Sequence, residues 1–486
     1  MTATAYELVL DWQASNRFAQ LSGDFNPLHL DAEDARRMRF GTTVVHGMHL
    51  CLSLLENWCV GVGGRLRLVA VKGEFNRPVP SGRAVEVHLR EQSPGRAAWM
   101  VRIGGQKACT LRVEYVEEPL QDSFPQATCV RYGTLTPGVC RIQAIGTVSG
   151  LKGKTPLMMD PELLEGLFPA LAHGVHPDMV AMLLAATRVV GMECPGQAAL
   201  FASFRMHAGE TSGYIGAPEA DFEVRQMDER IGQVALTLSG AGIEGGMEAF
   251  FSDPIVRQPC MAEIADRLGV LKFTNVHAWI IGGSRGLGET TAKIIAAGGG
   301  RVAIGYHLGE RDARRVQTEI REYGGTCEIF RHNVLNPDGS PPWSGVEAMT
   351  HLFYFASPKI LLNPWNRWQQ ERFDDYCSYY VRGFLETVIR NASHPDHVAR
   401  GVKVFYPSTV FLDRQEPGVL EYIAAKAAGE VVCRGLGRDH PWIVCEAVRL
   451  EPLLTDQTAS RTTGVEETLS HLLAVLQRYA VSPHGS

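Results

Sequence analysis

Hydrophobic positions in the amino-terminal part of the chain change from a helical to a strand-like spacing after Trp58. Helical spacing with breaks runs from Phe18 to Leu55, and Met48 to Trp58 is predicted as one long apolar helix. Pro-Ser-Gly and Gly-Gly turns then separate four strand-like runs, which are Leu66 to Phe75, Ala84 to Leu89, Ala97 to Ile103 and Lys107 to Val116. This order predicts an α+β unit in which antiparallel strands wrap a helix.

The same plan recurs in the middle of the chain. His46-Gly47-Met48-His49 precedes the first long helix, and His173-Gly174-Val175-His176, 127 residues further on, precedes a second one at Asp178 to Val190. Strand-like runs follow at Asp221 to Arg225 and Gln233 to Leu238. We interpret this as a tandem repeat of one fold.

A third region begins near His277 and alternates strands with helices. Ala278 to Ile281 and Arg301 to Tyr306 are predicted strands, and Gly288 to Ala297 is the helix between them. Such alternation predicts a doubly wound parallel sheet. The chain is therefore expected to hold three domains, at residues 1–118, 135–252 and 276–486.

Composition excludes several classes of protein. The 486 residues are 45% hydrophobic and 21% charged, and a net charge of −6 leaves no basic stripe for nucleic acid. Neither a signal peptide nor a membrane span is evident, so we expect a cytoplasmic protein without membrane contact. The eleven cysteines lack metal-ligand spacing, and we expect no metal.

Asp24 and His29 are the first candidates for chemistry. Asn26-Pro27 lies between them and predicts a kinked turn that aims both side chains at one point. Removing water from a 3-hydroxyacyl thioester needs one group that takes the proton beside the carbonyl and one that protonates the hydroxyl. Amides at the helix start after Gly47 would stabilise the enolate oxygen. The alternative is a helix-capping Asp and an unrelated surface His.

The run Phe18 to His29, with Arg39-Phe40-Gly41 and Val44-Val45-His46-Gly47-Met48, resembles the MaoC-like (R)-specific hydratases and dehydratases over residues 5 to 118. The resemblance implies a hot-dog fold and a double hot-dog for the repeat, with substrates carried as thioesters on CoA or acyl carrier protein. It assigns catalysis to Asp24, His29, Asn26 and Gly47. Positions 127 beyond Asp24 and His29 are Leu151 and Pro156, so the second copy is expected to be a degenerate, structural half.

A glycine turn from Gly282 to Gly288 follows a predicted strand and opens a helix, as in sites that bind a pyrophosphate. Tyr422 and Lys426 are four residues apart and share a helix face. A nearby ammonium lowers the pKa of a tyrosine, so that the phenol can exchange a proton with a carbonyl oxygen.

These features together resemble the short-chain dehydrogenase/reductase family over residues 276 to 460. The resemblance makes Tyr422 and Lys426 the catalytic pair and leaves Ser408 and Thr409 as alternatives for the hydroxyl that orients the carbonyl. It implies cofactor contacts from Gly282, Ser284, Arg285, Gly286, Leu287, Gly288, Tyr306, His307, Asn333, Val334, Ala356, Ser357, Tyr422, Lys426 and Thr455. The chain departs from the family where Tyr380 stands near the usual helix asparagine, where Asn333 replaces an adenine-contacting Asp, and where Tyr354-Phe355-Ala356-Ser357 replaces Asn-Asn-Ala-Gly.

Charge favours NADPH as the cofactor. Tyr306 and His307 end the second strand where NAD enzymes carry an acid, and Arg285 lies in the turn. We expect a bifunctional enzyme that reduces a 3-oxoacyl thioester and dehydrates the product, in polyketide or specialised fatty-acid biosynthesis. The alternatives are the reverse route of β-oxidation and a dehydratase with a non-catalytic nucleotide-binding domain. A homodimer is left open.

Overall fold

The computed structural model describes residues 5–38, 40–62, 64–118, 130–143, 145–197, 199–209, 218–252, 256–336, 349–360, 367–456, 458 and 465–481. It divides into two compact units, Met1–Pro254 and Ile255–Ser486. No helix of the described residues is long and apolar enough to cross a membrane.

The first unit combines seven helices with twelve strands among its described residues. The helices are α1 (Trp12–Ser22), α2 (Pro27–Leu30), α3 (Ala32–Arg37), α4 (Gly47–Cys59), α5 (Pro161–Leu167), α6 (Pro169–Gly174) and α7 (Pro177–Arg188). The strands are β1 (Ala5–Val9), β2 (Arg65–Phe75), β3 (Ala84–Ser93), β4 (Arg96–Ile103), β5 (Gln106–Glu118), β6 (Arg131–Tyr132), β7 (Lys152–Pro156), β8 (Met158–Met159), β9 (Ala199–Ala208), β10 (Glu219–Asp228), β11 (Gln233–Gly240) and β12 (Ile243–Phe251). A π-helical turn, Val189–Glu193, extends α7.

Ten of these strands form one sheet in the order β1-β3-β4-β5-β2-β9-β12-β11-β10-β7. The strands β2 and β9 pair antiparallel at its centre, with Gly73 opposite Phe204. Gly73 has to be a glycine because a Cβ there would lie 2.2 Å from the Phe204 ring. Two similar halves therefore meet edge to edge and share one sheet.

The long helices α4 and α7 are the centre of the core of this unit. Nearly every residue of α7 is buried, as are ten residues of α4. Strand β11 alternates buried and half-buried residues, as expected for a sheet with one face on these helices. The predicted long helices and the strands of both copies are confirmed, with bounds that differ by a few residues.

The second unit has nine helices and six strands among its described residues. The helices are α8 (Met261–Leu268), α9 (Gly286–Ala297), α10 (Glu310–Glu322), α11 (Gln370–Cys377), α12 (Phe384–Ala392), α13 (Pro395–Arg400), α14 (Phe411–Arg414), α15 (Leu420–Asp439) and α16 (Val465–Val481). The strands are β13 (His277–Ile281), β14 (Arg301–Tyr306), β15 (Thr326–Arg331), β16 (His351–Tyr354), β17 (Val402–Thr409) and β18 (Ile443–Leu450). A π-helical turn, Ser378–Gly383, joins α11 to α12.

All six strands of this unit are parallel, in the order β15-β14-β13-β16-β17-β18. Ala278 and Ile280 of β13 join one apolar core, whereas Trp279 and Ile281 join another, because successive side chains of a strand point to opposite faces. The sheet is therefore covered on both faces. The glycine turn begins at the carboxyl edge of this sheet, directly after β13, and β17 ends at the same edge.

Candidate active sites

Asp24 lies in a turn between two helices of the first unit. Helix α1 ends at Gly23, whose φ of 74° lies in the left-handed region that favours glycine. Three residues after Gly23, Asn26 caps α2, and Pro27 occupies the first position of that helix. This short helix carries His29 back toward Asp24, as the kinked turn predicted.

The carboxylate of Asp24 is buried against the second half of the unit. The Thr187 hydroxyl donates to its Oδ2 at 2.7 Å, and Gly191 packs so closely that a Cβ there would lie 2.1 Å from Oδ1. Burial raises the pKa of Asp24, while His29 and the Thr187 hydrogen bond act in the opposite direction. Sequence analysis missed Thr187, because nothing in the local pattern marks it.

Asn26 connects the turn that carries Asp24 to the π-helical turn at residues 189–193 through hydrogen bonds. Its side-chain Nδ2 donates to the Gly191 and Gly196 carbonyls, each at 3.0 Å, while its Oδ1 accepts the Leu28 amide at 3.0 Å. All three donor and acceptor contacts are buried. Asn26 therefore supports the turn rather than meeting a substrate.

His29 is oriented by a backbone carbonyl. Its Nδ1 lies 2.7 Å from the Val44 oxygen, which makes Nδ1 the protonated nitrogen and leaves Nε2 to accept a proton. Burial lowers the pKa of His29, and the Asp24 carboxylate raises it. A neutral imidazole beside a carboxyl group of raised pKa is an acid-base pair of the kind that dehydration requires.

His46 contacts both members of this pair. Its ring stacks on His29 with centroids 3.8 Å apart, and its Nε2 lies 3.0 Å from the Asp24 backbone oxygen. Burial holds its pKa well below the usual range, so the ring is neutral. Asp24, His29 and His46 each offer a possible metal-ligating atom within 4.8 Å of one another.

Helix α4 begins directly at this pair. His46 is its N-cap residue but its side chain makes no capping hydrogen bond, so the first-turn amides from Gly47 onward remain directed out of the helix end. A Cβ on Gly47 would lie 2.7 Å from the Phe75 ring. The start of α4 thus lies against the Phe75 ring and directly follows His46, which contacts Asp24 and His29.

The residue of the second half that corresponds to His46 is not the one that the sequence repeat predicted. His176, which is 130 residues after His46, occupies the N-cap of α7 with nearly the same backbone angles, whereas His173 lies inside α6. The offset of 127 was therefore wrong at this point. Pro177 follows His176 at the first helical position and has no N–H, so this helix start lacks the donor that Gly47 supplies.

In the second unit the glycine turn joins β13 to α9. Gly282 has φ of 79°, and Gly288 approaches it so closely that a Cβ would lie 2.3 Å from the Gly282 oxygen. Ser284 is buried within the turn, and Leu287 lies half-buried in the first turn of α9. The start of α9 therefore presents amides at the carboxyl edge of the sheet, where a phosphate group would be favoured.

Arg285 already has an anionic neighbour. Its guanidinium lies 3.7 Å from Asp456, whose other oxygen accepts the Val256 amide at 2.9 Å. The methyl group of Thr455 lies 3.5 Å from the position that a Cβ on Gly286 would take. These contacts join the turn to the 455–456 segment. The predicted contact of Arg285 with a 2′-phosphate stays a prediction.

The other residues expected at the cofactor lie at the ends of neighbouring strands. Tyr306 ends β14, where burial and Glu310 raise the pKa of its phenol, and His307 follows it. Asn333 accepts the Leu335 amide at 3.1 Å, and Val334 is buried. Ala356 follows β16, and its nitrogen is 2.8 Å from where a Cβ on Gly282 would be.

Tyr422 and Lys426 lie buried on one face of α15. Lys426 Nζ donates to the Pro407 carbonyl at 2.6 Å, and burial lowers its pKa to about 7. Burial also raises the pKa of Tyr422, against the effect of a hydrogen bond with Thr409. The phenol and the ammonium are therefore held in a water-poor site beside the end of β17.

The structure distinguishes the two candidate hydroxyls. Ser408 donates to Glu430 at 2.6 Å, and Arg449 binds the same carboxylate, whereas Thr409 faces Tyr422. Consecutive residues of a strand point to opposite faces, so only one of the two can meet the phenol. Thr409 is that residue, and Ser408 belongs to the ion-paired network behind the strand.

One protein-family model and several solved structures are similar to parts of this chain. The family model described as "MaoC like domain" matches residues 3–103. Similar solved structures include a 3-oxoacyl (acyl-carrier-protein) reductase from Agrobacterium tumefaciens with NADP bound, at 18% identity and a TM-score of 0.34 over 40% of this chain and 76% of that one. A gluconate 5-dehydrogenase from Burkholderia cenocepacia in complex with NADP and tartrate is 18% identical, with a TM-score of 0.36 over 40% of this chain and 78% of that one.

A third solved structure, described as a short chain dehydrogenase/reductase family protein, is 20% identical and covers 44% of this chain and 94% of its own, with a TM-score of 0.36. The family match spans fewer residues than these structural matches, and it includes the residues around Asp24 and His29. Asp24, Asn26, His29 and Gly47 all lie inside the matched range. Residues 3–103 of this chain are thus a MaoC like domain.

Proposed function

We propose that this chain is a bifunctional enzyme that reduces a 3-oxoacyl thioester with NADPH and then dehydrates the 3-hydroxyacyl product. The observation that carries the proposal is the pair of buried acid-base sites, one at Asp24 and His29 and one at Tyr422 and Lys426. Each pair contains a proton donor and a cationic or basic partner. The two sites suit consecutive steps on one acyl chain.

Under this proposal, residues 1–118 and 135–252 are the active and degenerate halves of a double hot-dog. Residues 276–486 are a doubly wound short-chain dehydrogenase/reductase domain. The substrate is an acyl thioester on acyl carrier protein or CoA, in a cytoplasmic route of specialised fatty-acid or polyketide synthesis. Two observations support these assignments. The strand order of the ten-stranded sheet in its second half is the reverse of that in its first half, and the six strands of the other sheet are all parallel.

Dehydration follows from the geometry of the dyad. His29 Nε2 takes the proton from the carbon beside the thioester carbonyl, and the α4 amides from Gly47 onward stabilise the enolate oxygen. Protonated Asp24 then gives its proton to the departing hydroxyl, which leaves as water. The carboxylate that results is stabilised by Thr187, and transfer of the proton from His29 to Asp24 restores the starting state.

Reduction is assigned to the second pair. Tyr422 gives its proton to the substrate carbonyl oxygen, Thr409 orients that oxygen, and the Lys426 ammonium stabilises the phenolate. The chemistry that NADPH supplies when bound is hydride transfer to the carbonyl carbon. The α9 amides beyond Gly282 would hold its pyrophosphate. The tight turn that presents them needs glycine at 282 and 288, because a Cβ at either position would collide with neighbouring backbone.

The decisive experiment offers the purified chain 3-oxoacyl thioesters of graded length, on CoA and on carrier protein. Nicotinamide absorbance and product mass are followed together. The wild type should yield the enoyl product, Asp24→Asn should accumulate the 3-hydroxyacyl product, and Tyr422→Phe should bind NADPH without consuming it. Absence of NADPH oxidation with every substrate would overturn the reductase assignment. Unchanged enoyl formation by Asp24→Asn would overturn the dehydratase assignment.

A further inference from the structure

Tyr380 lies against both residues of the proposed reductase pair. It belongs to the π-helical turn Ser378–Gly383, a distortion that often occurs at functional sites. Lys426 Nζ stands over its ring, 3.9 Å from the centroid, and the Tyr422 ring contacts it edge-on with centroids 5.7 Å apart. Tyr380 is almost completely buried. One aromatic side chain thus touches both residues of the pair.

The phenol of Tyr380 is fixed by a directed hydrogen bond. Its oxygen lies 2.6 Å from Ser357 Oγ, and that hydroxyl donates to the Pro358 carbonyl at 2.8 Å. Because Ser357 has one hydroxyl hydrogen, Tyr380 is the donor between the two. Burial raises the pKa of Tyr380 well above its usual range, which keeps that proton in place.

The buried ammonium of Lys426 is stabilised by aromatic rings and not by a carboxylate among the described residues. Its hydrogen-bond acceptor is the Pro407 carbonyl, and within the part of the chain that the structure describes no carboxylate forms an ion pair with it. The rings of Tyr380, Tyr406 and Tyr422 lie at 3.9, 4.8 and 5.9 Å from Nζ. Desolvated ammonium groups are stabilised by an aromatic face at such distances.

We propose that Tyr380 is a positioning residue of the reductase, whose ring holds the Lys426 ammonium charged and aligned with Tyr422. The proposal rests on the reductase function proposed above. It gives a role to the departure from the short-chain family at this position, where the family has an asparagine. An aromatic face takes over the stabilisation of the lysine.

The titratable groups that face Lys426 set the expected pH dependence. They are Tyr406 on β17, Tyr380 on the π-helical turn, and Tyr422 and Cys433 on its own helix. Burial lowers the pKa of Lys426 to about 7, and an aromatic face favours the charged form. Loss of the Tyr380 ring should therefore lower that pKa further, so that reduction is lost at a lower pH than in the wild type.

The test compares Tyr380→Phe, which keeps the ring, with Tyr380→Leu, which removes it. The control is Tyr479→Leu, since Tyr479 is another buried tyrosine, in the core on the other side of the sheet. At pH 7 we expect Tyr380→Phe and the control to keep kcat within about threefold. We expect Tyr380→Leu to lose about tenfold in kcat, with its alkaline limb moved to lower pH. An unmoved limb in Tyr380→Leu would overturn the proposal.

A second measurement does not depend on turnover. The pKa of Lys426 is followed directly by NMR of lysine labelled with 13C at Cε, with its signal assigned by loss in Lys426→Met. The pKa should fall in Tyr380→Leu and stay near the wild-type value in Tyr380→Phe. If the wild type reduces no substrate but this shift is seen, the proposed function fails, whereas the stabilisation of the Lys426 ammonium by the Tyr380 ring is still demonstrated. Equal pKa values in the two variants would refute that role.

Discussion

Substitution of Thr187 by valine isolates the contribution of the second half of the first unit to dehydration. The Thr187 hydroxyl donates to Asp24 at 2.7 Å in a buried setting, and valine has nearly the same shape without the donor. A hydrogen bond to a charged group contributes about 1.5–3 kcal/mol. If it acts fully on the carboxylate formed as water leaves, kcat for dehydration should fall about 10- to 150-fold.

Thr187→Val should also shift the pH profile of dehydration in a defined direction. Under the proposed mechanism dehydration requires neutral His29 and protonated Asp24, so activity should fall at low pH as His29 gains a proton and at high pH as Asp24 loses one. The Thr187 hydrogen bond lowers the pKa of Asp24, and its removal raises that pKa. The alkaline limb of Thr187→Val should therefore move to higher pH while the acid limb stays in place.

The assay follows the ultraviolet absorbance of the enoyl thioester from a 3-hydroxyacyl substrate, with NADPH-dependent reduction by the same preparation as a reference. Thr187→Ser retains the hydroxyl and should remain within a few-fold of the wild type. Thr237→Val changes a threonine on strand β11 that bonds to Arg225 instead, and should have no effect. Wild-type kcat and an unmoved alkaline limb in Thr187→Val would refute the role given to this hydrogen bond.

Three further changes probe other contacts. Gly47→Ala would bring a Cβ within 2.7 Å of the Phe75 ring and disturb the helix start, so dehydration should fall by up to about 100-fold while reduction continues; full activity would contradict the oxyanion assignment. His176→Ala should leave dehydration unchanged, because Pro177 denies that helix start a donor; a large loss would mean that the second half is active. Arg285→Ala should weaken NADPH by about 1.5–3 kcal/mol and spare NADH in separate binding titrations. Equal losses for both cofactors would limit Arg285 to its ion pair with Asp456.

Sequence patterns predicted the elements well because their periods are local. Helix α4 and strands β2 to β5 follow from the spacing of apolar residues between Gly47 and Glu118. The turn at Asn26-Pro27 and the glycine turn at Gly282 were predictable for the same reason, since each depends on backbone preferences of adjacent residues. Asp24, His29, Tyr422 and Lys426 could therefore be identified as candidate pairs before any tertiary contact was known.

Tertiary structure decided what surrounds those pairs. Thr187 reaches Asp24 from 163 positions away, and Tyr380 reaches Lys426 through the packing of a π-helical turn on α15. The choice of Thr409 over Ser408 depends on which face of β17 meets the phenol. Hydrogen bonds, burial and stacking depend on which elements pack together, and no local spacing encodes that. Residue spacing identified the candidate acid-base groups of both sites, whereas packing set their pKa values and supplied the groups that hold them.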